Sequence, residues 1–180
     1  LGKNNKNIEQ LFYSYLHYCF YYIYTWQAER AVPWINRAKH FVSSINPHHL
    51  INLLQVQLEQ AYYAGNYRQA SIFYEQAMDL CHQINRPYIV PFLKLIQIKN
   101  HIKLQEFDAA TALYLAVVDY ADHRAVTSTF ELARLSVELG HKNFASLVCT
   151  HIIQRFPQDK NPHFYFKTLQ FREMHGLSVR

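Results

Sequence analysis

Glycine and proline are scarce in this chain, with four and six among 180 residues. A β-sandwich or a nucleotide-binding α/β domain ordinarily needs more turn glycines, so the shortage favours helices. No glycine-rich phosphate loop is present. Charge is sparse too: 17% of residues are charged while half are apolar. That balance excludes intrinsic disorder and supports a substantial core. The net charge of +5 is modest and its basic residues are scattered. Direct nucleic-acid contact by this segment is therefore not expected. The three cysteines, Cys19, Cys81 and Cys149, are odd in number, widely spaced and without a CxxC. They exclude a disulfide framework and a structural zinc site, and a reducing, cytoplasmic compartment is the simpler reading. No signal peptide is visible. The chain starts Leu1-Gly2-Lys3 without an initiator methionine, which sets the expectation of a fragment of a longer protein.

Catalytic constellations are also missing. Eleven histidines invite a metal site, but there is no HExxH and no His pair at i, i+4 beside a carboxylate. His48 and His49 are adjacent at a helix start, where their side chains diverge. Cys149 and His151 are two apart on an expected helix and point roughly opposite ways, which disfavours a nucleophile–base pair. Glu106 with Asp108, and Asp119 with Asp122, read as solvated turns. No catalysis, metal or cofactor is expected.

What the chain does have is aromatic density and small residues at regular spacing. Asn7 and Gln10 look like a capping box. They lead into residues 11–26, of which nine are aromatic. This stretch is too short and too rich in Tyr and His to span a bilayer, so no membrane contact is expected. It reads as a helix buried nearly all round at the start of a stack. Any tyrosines left exposed there would form a seam to a second copy or to an upstream segment.

Farther on, Leu54 to His82 reads as two amphipathic helices broken at Gly65-Asn66. Ala70 and Ala77 lie two helical turns apart on one face, with Tyr67, Phe73 and Tyr74 around them. The pattern recurs. Ala31 pairs with Ala38, Ala110 with Val117, and Ala145 with Ile152. The spacings are 39, 40 and 35 residues. Asn46-Pro47 and Asn161-Pro162 read as N-caps followed by proline at the first helical position. Pro33 and Pro91 fall in first turns. Asp122 is an expected cap, and Gly140 and Gly176 are expected helix ends. Phe164, Phe166 and Leu169 mark the last helix. A two-helix repeat of this size signals an all-α solenoid. It would comprise about four helical hairpins plus a C-terminal capping helix in a single domain over 1-180. The units are roughly 7-45, 46-84, 85-121 and 122-157, with the cap at 161-176.

Residues 65–80, GNYRQASIFYEQAMDL, resemble the second half of a tetratricopeptide repeat (TPR), with its Gly-Asn-Tyr turn, Ala, aromatic and Ala. Residues 132–157 resemble nearly a whole repeat, with Leu132, Ala133, Gly140, Ala145 and Pro157 at the family's positions. The spacings of 39 and 40 exceed the family's usual 34. The resemblance implies a TPR-like right-handed superhelix whose first helices line a concave side. Long, degenerate repeats rich in Tyr, Gln and Asn also resemble the regulatory domains of Gram-positive peptide-sensing transcription factors, the regulators of quorum sensing. Those domains follow a helix-turn-helix, which this chain lacks, and bind a signalling peptide in the groove.

On the first helices the polar positions fall in stripes. Asn52, Gln55, Glu59 and Tyr62 or Tyr63 make one, Lys94, Gln97 and Asn100 or His101 a second, and Arg134 and Glu138 continue it. Amide ladders can pair with an extended peptide backbone while tyrosines form pockets for its side chains. Lys94 and Arg134 could hold a carboxylate. The same stripes also serve as the wet face any amphipathic helix needs. The expected function is peptide or protein binding in the groove, as the sensing part of a bacterial transcription regulator. The alternative is a constitutive protein–protein scaffold without a small ligand.

Overall fold

The computed structural model describes residues 2–118 and 126–177, with side chains for 7–118 and 127–177. Every regular element among them is helical. In order these are α1 (Gly2–Tyr24), α2 (Val32–Lys39), α3 (Pro47–Tyr63), α4 (Tyr67–Gln83), α5 (Val90–Lys103), α6 (Phe107–Leu115), α7 (Val126–Glu138), α8 (Lys142–Arg155) and α9 (Pro162–His175). Short 3-10 turns at Ala28–Ala31, Val42–Ser44 and Pro87–Ile89 link some of them. The chain forms two compact units, 1–96 and 97–180, with the division inside α5.

In the first unit α1 packs on α2 and α3, and α3 packs on α4. α3 is the wall shared by two cores. Leu53 and Val56 pack with Phe12, Leu16, Cys19 and Ile23 of α1 and with Ala31, Ile35 and Ala38. Ile51, Leu54, Leu58 and Ala61 pack with Ala70, Tyr74, Ala77 and Leu93. A helix buried on two sides needs apolar residues around most of its circumference, which the α3 sequence supplies. In the second unit α8 packs on α7 and α9. Tyr114 of α6 meets Phe144 of α8 edge-on at 5.7 Å, and Phe107 stacks on His141 at 3.8 Å.

The alanine pairs are interior. Ala31, Ala38, Ala70, Ala77, Ala110, Val117, Ala145 and Ile152 are all buried. Each lead residue follows a helix end closed in one manner. Trp26, Gly65, Gln105 and Gly140 adopt positive φ, and each lies five residues before its alanine. The next N–H in each case donates to the carbonyl five residues back: Gln27 to Tyr22, Asn66 to Ala61, Glu106 to His101 and His141 to Ser136. This is the Schellman closure, which satisfies carbonyls left over at a helix end. Asn85 and Gly176 close α4 and α9 likewise. Glycine marks only two of the four hairpin turns. At Gln105, φ 62, an ordinary residue bears the left-handed penalty of about 1–2 kcal/mol. Gln105→Gly should therefore raise stability by about 0.5–1 kcal/mol, after allowing for glycine's freer unfolded chain. Gly65→Ala, whose Cβ would meet no atom within 4 Å, should lose a similar amount through torsion alone. Denaturant midpoints at unchanged slope measure both, and a Gln105→Gly variant less stable than the native chain would refute the assignment.

Several expectations change. Asn7 is not an N-cap, because α1 already runs from Gly2. α1 is not buried all round: Phe12, Leu16, Cys19 and Ile23 are buried, but Leu11, Tyr18, Tyr21 and Tyr24 are exposed. The second helix of the first hairpin spans only eight residues. Val117 lies beyond the end of α6, yet its side chain is buried. On α9, Phe166 and Leu169 face solvent, while Thr168, Phe171 and Arg172 face inward. The expected features at Asp119 and Asp122 lie outside the described residues. Asn46 does cap α3, its side chain accepting from the His48 N–H at 2.9 Å, and Asn161 caps α9.

Candidate functional site

The expected stripe on α3 lies against α1. Asn52, Gln55 and Glu59 recur at helical spacing, so one face carries all three. Asn52 Nδ2 donates to the Tyr13 hydroxyl at 3.1 Å. That hydroxyl also bonds His49 Nδ1, and His49 Nε2 lies 3.5 Å from Glu9. Gln55 Nε2 donates to Glu59 Oε1 at 2.9 Å, and the Tyr24 hydroxyl donates to Glu59 Oε2 at 2.5 Å. Glu59 is only 4% exposed. A carboxylate so buried is tolerated because donors replace the water it loses. The stripe thus belongs to a polar seam between α1 and α3.

At the α1 end of this seam the rings gather. Tyr63 meets Tyr24 edge-on at 6.2 Å, Trp26 at 5.6 Å and Tyr62 at 5.1 Å. Tyr62 turns inward and packs in the α3–α4 core. Trp26 is 78% exposed, and Tyr24 is more than half exposed. Tyr63 was expected from sequence, as the alternative to Tyr62, whereas Tyr13, Tyr24, Trp26 and His49 were not among the expected site residues. Their signal was the aromatic density of 11–26, together with the place of Trp26 five residues ahead of Ala31.

The other expected residues are dispersed. Lys94 is half-buried on α5 in the first unit. Gln97 and Asn100, in the second unit, are buried, so neither lies on a wet face. Asn100 Nδ2 lies 3.4 Å from Gln97 Oε1, and Gln97 Nε2 lies 3.2 Å from His101 Nε2. His101 Nδ1 contacts Glu106 at 2.7 Å. With Nδ1 protonated, His101 accepts from Gln97 and donates to Glu106, so both contacts are satisfied by one neutral tautomer. Arg134 is exposed and pairs loosely with Glu131 and Glu138, at 4.0 and 3.8 Å along its own helix. Such pairs contribute little.

The thiols are interior. Burial pushes Cys19 and Cys149 up to about 12, and it raises Cys81. Thiols held protonated and covered are poor nucleophiles and poor metal ligands. Among the described residues, no three His, Cys, Asp or Glu side chains converge as metal ligands would. No described helix is long and apolar enough to cross a membrane.

No protein-family model, no curated protein and no solved structure matches this chain.

Proposed function

We propose that the chain binds an extended peptide or a protein segment, and that the first unit seats it along the α1–α3 seam. One observation carries this reading. Trp26 holds a bulky ring at φ 61 where two sister turns use glycine, and that ring lies in solvent. A non-glycine residue there costs about 1–2 kcal/mol. Burial does not offset that cost; exposed Gln105 bears the same torsion at its own turn, so what sets Trp26 apart is the large ring it keeps in solvent. Edge-on contact with Tyr63 supports the indole, leaving flat aromatic surface beside the exposed Tyr24 ring. Such rigid aromatic anchors commonly carry binding energy. The further role, as the sensing part of a bacterial transcription regulator, rests on the TPR-like character of residues 65–80 and 132–157.

The test is selection of a random displayed peptide library on the immobilised chain. A related set of peptides should be enriched, and their affinity should fall at least about tenfold in Trp26→Gly. The melting temperature should change little, since relief of torsion opposes loss of the ring contact. No enrichment, or enriched peptides that bind Trp26→Gly as tightly, would end this reading.

A further inference from the structure

α1 has a second face, independent of the seam. Its core side is Phe12, Leu16, Cys19 and Ile23. Its outer ridge is Leu11, Ser14, Tyr18, Tyr21 and Thr25, every one exposed. These positions step by three and four alternately, which is the spacing of a helix–helix seam. The ridge extends for about 21 Å along the helix. The outer face of an amphipathic helix ordinarily carries charge. α4 does so, exposing Arg68, Glu75 and Asp79. The α1 ridge has no formal charge, and residues 10–28 contain no Lys, Arg, Asp or Glu at all. Among the described side chains, cations stand at its flank, where Arg37 covers the Trp34 ring at 4.6 Å and Arg30 lies over Tyr22. Trp34 in turn stacks on Tyr18 at 4.5 Å, which stiffens the ridge from the α2 side.

We propose that this ridge is an interface between two copies of the chain, related by a two-fold axis. The chemistry is self-complementary. A two-fold contact sets a surface against itself, so any net charge would meet like charge. Here none does. The polar groups of the ridge are hydroxyls, those of Ser14, Tyr18, Tyr21 and Thr25. Ser14 and Thr25 already donate to the Gln10 and Tyr21 carbonyls and can only accept, whereas the Tyr18 and Tyr21 hydroxyls can donate and accept, so each tyrosine can pair with the same group on the other copy. Leu11 supplies apolar contact. The ridge is smaller than a standard interface of roughly 20–30 residues a side, so the association is a weak one.

Sedimentation velocity on the full chain, from about 1 to about 200 µM, tests this. The native chain should pass from monomer to dimer across that range. Leu11→Glu/Tyr21→Glu and Leu11→Lys/Tyr21→Lys should each stay monomeric, with an unchanged melting temperature because both positions are exposed. An equimolar mixture of the two variants should dimerise again. Leu11 and Tyr21 bring opposite charges together whether the helices run parallel or antiparallel, so the mixture works in either register. A native chain that remains monomeric overturns the proposal. So do charged variants that dimerise as the native chain does, and monomeric variants whose mixture stays monomeric.

Discussion

Phe144→Ala is expected to lower stability by about 3–5 kcal/mol. The ring is 1% exposed, meets Tyr114 edge-on, and sits on α8, the helix that packs on both α7 and α9. Its removal takes away burial and leaves a cavity that packed helices fill only partly. A domain of this size has about 5–15 kcal/mol in all, so the loss should show as a large drop in denaturant midpoint. Phe166→Ala is the matched control. That ring is on α9 and 52% exposed, so its loss should fall within about 0.5 kcal/mol. Equal costs at the two positions would mean that the inward face of α9 is wrongly assigned.

Glu131→Ala should cost about 3 kcal/mol, although Glu131 itself is partly exposed. Its Oε2 lies 2.5 Å from Lys99 Nζ, and Lys99 is buried, with its side chain 10% exposed. Removing the carboxylate strands an ammonium where water reaches it poorly. Lys99→Met should cost far less, because it leaves a one-third-exposed carboxylate that water and Arg134 can solvate. The double variant Lys99→Met/Glu131→Leu should recover most of the loss. Chemical denaturation of the three variants measures the asymmetry. Two single variants of equal cost would show that the lysine is not effectively desolvated.

The α1–α3 seam was half legible. Asn52, Gln55 and Glu59 fall on one face by helical spacing, and that arithmetic holds whatever lies opposite. Nothing local says that Tyr13 and Tyr24, about 35 residues away, supply the opposing hydroxyls. Gln97 and Asn100 show the reverse failure. Amides read as solvent-facing on a helical wheel, but a helix covered on several sides must bury some of them, and a network can satisfy them there. α9 failed for a related reason. Phe166 and Leu169 are apolar and well spaced, yet the packing turns Thr168, Phe171 and Arg172 inward instead. The Thr168 hydroxyl answers its burial by donating to the Phe164 carbonyl at 2.7 Å.

Trp26 and Gln105 mark the other limit. Gly65 and Gly140 announce their turns, because glycine alone takes positive φ without penalty. The equivalent turns at Trp26 and Gln105 have no such residue, and the repeat had to be found through the alanines that follow.

The sequence by itself determined the helical class, the caps at Asn46 and Asn161, and the repeated small residues at 31, 70, 110 and 145. All of these depend on neighbours within a turn or two, where backbone torsion and helical period act. The tertiary structure alone decided which face of α1 and α9 is covered, that Glu59 is held by Tyr24, and that the Trp26 ring stays in solvent. Those outcomes depend on which distant helix arrives alongside, and no local period encodes that.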